Sequence, residues 1–407
     1  MFLTPHTSST WKLAPSLRRF RWSVNCHSGH ALVSQRNGAA RDQETKRKKK
    51  SPCEAILDRF DEQYSQELGD LWASVRAVLL DPHSWQYGVM LNRFSTVTGI
   101  SQILQSQGFS AMLPQTRGLT ALGSDPSTVS HSKCRVGKDS DYISKCPPND
   151  SHLQPDIKSP AFDEDLESEP SPVLALKVQD GEKVLDLCSA PGGKALAIMQ
   201  CATPALLCCN EPDPQRRDWL AKTLESFLSQ SLTSRVIVSA QDGRSFGKSE
   251  AGTYDKVLVD SPCSNDRSWL YCGSEQGEQR LKERARLPAL QAQLLRSALS
   301  AVCPGGVVVY STCTLSTFEN FAVVERVLND CPEAEPEDLW EEIGIPLSKY
   351  FTFRTTHHGR DQTLHNPSLH PHNAPLSSYC HRLGLLVVPQ PGKTWGPMFL
   401  SRIRRRK

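Results

Sequence analysis

The chain has 407 residues, room for one large or two ordinary domains and for a sizeable core. Hydrophobic residues make up 38% and charged residues 22%, as in ordinary soluble proteins, and no run approaches 18 consecutive apolar residues, which excludes a membrane-spanning helix. The formal charge of +3 implies neither a nucleic-acid nor a membrane partner by itself, but it is uneven: residues 1–60 carry 12 Lys and Arg against 4 Asp and Glu, and the rest of the chain is net acidic.

Residues 1–41 contain six basic residues and many Ser and Thr, with no acid before Asp42. That composition predicts a mitochondrial transit peptide, taken as residues 1–45, and hence a matrix location; a basic tail is the plainer alternative. The run KRKKK at 46–50 reads as a nuclear signal, an RNA-contacting arm or a solvated charge run. In the stretch 53–80, Phe60, Tyr64, Leu68, Leu71, Trp72, Val75 and Leu79 recur at helical spacing, which predicts one helix with its stripe in the core, ended by Asp81-Pro82. A second helix is expected from Trp85 to Phe94. Residues 110–172, rich in Ser, Pro, Asp, Gly and Lys, read as a linker or disordered insertion.

From Val173 to the C-terminus apolar runs alternate with amphipathic stretches. Strands are expected at 183–188, 205–211, 235–242, 255–262 and 305–313, with helices between the first three, over 286–303 and over Phe318–Leu328. The alternation predicts an α/β fold: a doubly wound, Rossmann-like parallel sheet covered on both faces, with 383–390 and 396–404 as late edge strands. The six histidines within 355–382 are irregularly spaced among Pro and Asn, so a loop is expected there and no metal site. Fourteen cysteines without a Cys-x-x-Cys pair point to reduced thiols rather than disulfides or structural zinc.

In such a sheet ligands sit beyond the carboxyl ends of the strands. The first strand ends in DLCSAPGGK (Asp186–Lys194), where Gly192 and Gly193 permit close backbone approach at a helix start. The second ends in Glu211, placed for ribose hydroxyls, and the third in Asp242, placed for an adenine amino group. One such acid would mean no more than a helix cap; three at successive strand ends describe a nucleoside pocket. The loop is not G-x-G-x-x-G, so a nucleoside with a short charged tail, such as S-adenosylmethionine, fits better than a dinucleotide. The fourth strand ends Asp260-Ser261-Pro262-Cys263 and the fifth Ser311-Thr312-Cys313, placing two cysteines beside an acid. A thiol near Lys194 and helix N-termini is expected to have a lowered pKa and nucleophilic character; core filling is the bland alternative.

DLCSAPGGK, DSPC and STC, in this order, resemble the Sun-type (NSUN) family of RNA cytosine-5 methyltransferases. Segments 60–76, 85–94, 264–270 and 395–399 resemble its vertebrate mitochondrial branch, which acts on mitochondrial methionine tRNA. The resemblance implies that Cys313 is the nucleophile, that Cys263 assists product release, that Asp260 contacts the base and that Lys194 reaches toward it. Cys188, Ser189, Ala190, Pro191, Gly192, Gly193, Lys194, Glu211, Asp242 and Asp260 would bind S-adenosylmethionine. It further implies an RNA partner, the anticodon stem-loop of a mitochondrial tRNA, contacted by an N-terminal helical region (46–109), with no DNA or membrane partner and a monomeric state. One departure stands out. Family members carry a helix rich in Tyr, Ala, Ser and Leu before the PVLAL-type segment, whereas here 162–176 reads FDEDLESEPSPVLAL, acidic and interrupted by Pro170 and Pro172. That departure motivates a second reading, a catalytically weak RNA-binding or assembly factor. A methyltransferase of mitochondrial ribosomal RNA, or a DNA cytosine methyltransferase using Cys263 as nucleophile, are further alternatives.

Overall fold

The computed structural model describes residues 51–86, 88–90, 109–111, 142–145, 171–354 and 383–407. The expected transit peptide, the KRKKK run and the histidine-rich stretch 355–382 lie outside the described residues.

The helical stripe near the N-terminus is divided into two helices, Glu54–Leu68 and Leu71–Leu79. The break falls at Gly69, whose φ of +57° lies in the left-handed region that ends helices readily only at glycine. Phe60, Tyr64, Leu68, Trp72, Val75 and Leu79 are all buried, as the spacing predicts, whereas Leu71, at the first position of the second helix, is 41% exposed. The helix expected over Trp85–Phe94 is not formed in its described part: Gly88–Met90 is a short strand (β1). It pairs with Tyr142–Lys145 (β3), which also pairs with Phe109–Ala111 (β2) in a three-stranded antiparallel sheet. Part of the stretch 110–172 is therefore a strand rather than linker; the pairing is non-local, and no local sequence period announces it. At 171–176 a short helix, Ser171–Leu176, begins directly after Pro170. Pro172 sits in its first turn, where the missing N–H has no helical partner to lose, so it starts the helix instead of forbidding it.

The main sheet contains β4 (Lys183–Asp186), β5 (Leu206–Asn210), β6 (Val236–Ser239), β7 (Tyr254–Asp260), β8 (Val302–Thr312), β9 (Ala334–Glu337), β10 (Leu385–Val387) and β11 (Met398–Arg405). Its order is β10-β11-β8-β7-β4-β5-β6, with β4 to β8 parallel and β11 antiparallel to β8. Of the two late strands, β11 is not an edge: it pairs with β8 on one side and with β10 and β9 on the other. Its run of apolar residues, buried from Met398 to Leu400 and at Ile403, is what such an interior position requires.

Two cores cover the two faces, and the period-two alternation of the strands divides residues between them. On β8, Val308 and Tyr310 enter the core shared with helix Glu54–Leu68, while Val307 and Val309 enter the other. The outer strand β6 departs from this pattern, leaving Ile237 53% exposed. The chain runs from β4 outward to β5 and β6, then returns to β7 on the other side of β4. The topological switch thus falls between β4 and β7, where a crevice must open beyond the strand ends. Among the described residues no helix is long and apolar enough to cross a membrane.

Candidate active site

A cavity of about 420 Å³ opens at that switch point, within the size range of small-molecule sites. The loop after β4 forms one wall and the ends of β7 and β8 form the other. Ala190–Pro191 is a cis peptide, and helix Gly193–Cys201 begins directly behind it. Gly192 has φ +110°, and a Cβ there would lie 3.0 Å from Leu220 Cδ1 and 3.3 Å from Thr223 Cγ2. Only glycine meets both demands, conformation and close packing on helix Pro214–Phe227. Ser189 N–H donates to the Asn210 carbonyl at 2.9 Å, and Arg216 Nη2 donates to the Ala190 carbonyl at 3.0 Å. The turn is thereby tied to the β5 end.

Asp186 lines the cavity, is fully buried, and accepts from Ser189 Oγ at 2.8 Å through one oxygen. Its other oxygen is buried without a hydrogen-bond partner. Burial pushes the carboxyl up to about 7 against the opposing Ser189 bond. A buried oxygen without a partner, on a residue that borders a ligand-sized space, marks a place where a ligand's polar group can be satisfied. These residues fit S-adenosylmethionine: a glycine turn open to close approach, a free carboxylate oxygen and a cavity of nucleoside size. Asp186 opens the DLCSAPGGK motif, yet it was not among the expected binding residues; a buried acid at a strand end is the signal that marks it.

The structure brings Cys188, Ser189, Ala190, Pro191, Gly193, Lys194, Asp260, Cys263 and Cys313 to this one cavity. Gly192, Glu211 and Asp242 do not line it. Glu211 is buried, accepting the Asp213 N–H at 3.0 Å and lying 3.3 Å from Arg216 Nη1. Asp242 is half exposed and clasped by Arg244, with Arg244 Nη2 donating at 2.6 Å; that guanidinium holds its carboxyl below the ordinary range.

Across the cavity, Lys194 Nζ reaches from the first wall to donate to Asp260 Oδ2 at 2.6 Å, and Ser311 Oγ donates to Oδ1 at 2.8 Å. Burial would lower the Lys194 ammonium, but Asp260 more than compensates and its pKa stands raised: it is a fixed cation. The two cysteines meet, Sγ to Sγ, at 3.1 Å, and the Cys313 N–H donates to the Cys263 sulfur at 3.2 Å. Cys313 is exposed to the crevice and Cys263 half-buried. The expectation of a lowered thiol pKa fails for Cys263: the hydrogen bond to Cys313 and burial push it well up. Burial likewise raises the Cys188 thiol, which suits it to packing against a ligand and not to attack. All ten cysteines among the described residues are free thiols, and no group of three or more His, Cys, Asp or Glu there could hold a metal.

A doubly wound sheet with a nucleoside-sized pocket and an Asp–Lys pair beside two thiols defines a methyltransferase of the Rossmann-like class. Its fold is shared with a methyltransferase homologue from Pyrococcus horikoshii, at 18% identity and a TM-score of 0.53 over 87% of this chain and 98% of that one. Residues 173–363 match the family described as 16S rRNA methyltransferase RsmB/F. The mitochondrial tRNA (cytosine(34)-C(5))-methyltransferase of Danio rerio is 46% identical over 94% of this chain and 95% of its own length. Its counterpart in Mus musculus is 40% identical over 88% of this chain and 92% of its own. The 5-cytosine rRNA methyltransferase NSUN4 of Mus musculus is 36% identical over 86% and 88%. The chain belongs to the Sun-type family of RNA cytosine-5 methyltransferases, enzymes that use S-adenosylmethionine.

Proposed function

We propose that this enzyme methylates carbon 5 of cytosine 34, the anticodon wobble base, in a mitochondrial tRNA, methionine tRNA being the expected substrate. The identity of 46% with the Danio rerio enzyme across nearly the whole chain supports the substrate and a mitochondrial location, for which the matrix is the expected compartment. The one structural observation that carries the chemistry is the contact of two thiols beside a fixed Lys194–Asp260 pair.

Cytosine carbon 5 is too weak a nucleophile unaided, so covalent activation is the function of Cys313. Its thiolate bonds to carbon 6 and drives electron density onto carbon 5, which takes the methyl group. S-adenosylmethionine supplies that methyl on an electrophilic sulfonium and departs as the thioether. Once Cys313 is bonded to carbon 6, its hydrogen bond no longer holds the proton on Cys263; that proton passes to water and the Cys263 sulfur removes the carbon 5 proton. The ring double bond re-forms and Cys313 leaves as thiolate, with one proton released overall. Asp260 accepts from the base edge, while the Lys194 ammonium orients Asp260. Residues 188–194 hold the cofactor. Glu211 and Asp242 join them only where Arg216 and Arg244 give way. The base must leave its stack to enter the crevice, which favours an exposed loop nucleotide. RNA is held outside the crevice by the region 46–109, we propose.

The test is methyl transfer from labelled S-adenosylmethionine to an anticodon stem-loop of mitochondrial methionine tRNA. Label is expected with cytosine at position 34 and none with uridine there. Equal label on both, or label only on a mitochondrial ribosomal RNA fragment, overturns the proposed substrate.

A further inference from the structure

The loops that carry the two cysteines are locked to each other by a reciprocal pair of buried acids that do not line the cavity. Glu319 lies on the Cys313 loop and is 1% exposed. It accepts the N–H of Ser264, the residue after Cys263, at 2.9 Å, and the Ser264 hydroxyl as well. It also accepts from Gln291 Nε2 at 3.0 Å, and that amide donates to the carbonyl of Pro262, the residue before Cys263. Asp266 ends the Cys263 loop as the first residue of helix Asp266–Leu270, is fully buried, and does the converse. It accepts from the hydroxyl of Thr314, the residue after Cys313, at 2.9 Å, and from the Leu315 N–H at 2.7 Å. Each loop thus supplies an acid that grips the residue following the other loop's cysteine. Two helices brace the pair: the Tyr64 hydroxyl donates to Asp266 at 2.8 Å, and Arg284 donates to the Tyr64 oxygen at 2.7 Å with its Nε 3.7 Å from Glu319.

Burying two acids and a guanidinium costs more than apolar packing would, so stability alone is a poor reason for them. What directional bonds give that apolar contacts do not is a fixed distance. The distance at stake is the 3.1 Å between the sulfurs. Adduct formation needs only Cys313 and a seated base. Adduct resolution also needs Cys263 to reach the proton on the adjacent ring atom, at a place dictated by the bond Cys313 has already made.

We propose that Glu319 and Asp266 are positioning residues that hold Cys263 in register with Cys313, so that resolution of the covalent adduct depends on them more than its formation does. This rests on the roles assigned above to the two cysteines. Thr314→Val removes the hydroxyl's bond to Asp266, with its contacts to Ser264, Tyr64 and the Ser316 N–H, at little change of volume, and Thr314→Ser restores the hydroxyl; Glu319→Gln and Asp266→Asn test the acids themselves. Four quantities are read on the full chain: single-turnover methyl transfer, multiple-turnover kcat, KM for S-adenosylmethionine, and the fraction of RNA held as adduct on a denaturing gel, with Cys263→Ala marking the ceiling. Thr314→Val should lower kcat between about 10- and 100-fold, the cost of a small misplacement. Its adduct fraction should rise several-fold, while the single-turnover rate and KM stay within about twofold, and Thr314→Ser should return all four to wild type. A parallel fall of kcat and single-turnover rate without extra adduct overturns the proposal and leaves the cluster a structural one. If neither wild type nor Cys263→Ala forms any adduct on RNA that it labels, the cysteine roles fail and this proposal with them.

Discussion

The loop Asp186–Lys194 and the paired loops behind Cys263 and Cys313 face one cavity but are held by different means. The cofactor wall is mostly a local construction: Ser189 bonds Asp186 three residues away, Gly192 takes its own left-handed φ, and a helix starts at the next residue. The cysteine wall is assembled from distance. Ser264 and Glu319 are 55 residues apart, Asp266 and Thr314 48, and Tyr64 and Asp266 202. A lesion on the first wall, Lys194 apart, should therefore alter cofactor affinity alone. A lesion on the second should alter the fate of the covalent adduct.

The largest expected effect divides the cysteine wall itself. Cys313→Ala should abolish labelling, a loss of at least about 10³-fold as for other enzyme nucleophiles. Cys263→Ala should still form the bond to RNA and fail to release it, leaving a gel-shifted species. Should Cys263→Ala label freely while Cys313→Ala traps the adduct, the roles are reversed, as a DNA-type mechanism would have them.

Gly192→Ala probes the cofactor wall. The added methyl meets Leu220 at 3.0 Å and the backbone is held at φ +110°. Strain of this kind costs on the order of 1–3 kcal/mol, so KM for S-adenosylmethionine should rise about tenfold or more. The adduct fraction at saturating cofactor should not move; a change there would mean that the two walls are coupled.

The same contrast explains what could be read in the amino-acid sequence. The five parallel strands announce themselves by apolar runs, and the motifs that end three of them are contiguous, so the sheet, the cofactor loop and both cysteines are legible residue by residue. Tyr64, Arg284 and Gln291 are not: each sits on an amphipathic helix where an isolated polar residue on the buried face looks like an imperfection of the stripe. Their meaning depends on partners 28 to 220 residues away. The pairing of β1 and β3 was hidden for the same reason. The break at Gly69 was visible in principle, since glycine ends helices, but the apolar spacing runs through it undisturbed.

Burial charges the cysteine wall with a pH signature. Asp266 is pushed up to about 7 by burial, against Arg284 and the bonds from Leu315, Tyr64 and Thr314. The folded chain therefore keeps a proton there between about pH 4 and 7 that an unfolded carboxyl would have lost. Such a group favours folding at the acidic end and loses that contribution as pH rises toward 7, with a slope of at most about 1.4 kcal/mol per pH unit. Asp266→Asn should remove that slope: the stability of wild type relative to the variant, from urea midpoints, should decline between pH 4.5 and 7.5. Parallel stability curves would mean that Asp266 is ionised throughout, with Arg284 as its counter-ion.

The smallest effect is expected at Asp242, which the strand-end pattern assigns to the cofactor but which Arg244 occupies. Both side chains are 51% exposed, so the pair is worth little to stability and the carboxylate is free to exchange partners at modest cost. Asp242→Asn keeps the shape and one acceptor. KM for S-adenosylmethionine should rise about threefold or less, with kcat unchanged, if the adenine end is held mainly by backbone and apolar contacts. A rise beyond about tenfold would show that Arg244 swings aside on binding and that the carboxylate makes a charge-assisted bond to the ligand. The cofactor wall would then not be purely local: its third strand end would be completed only by the ligand, much as the cysteine wall is completed only by its distant acids.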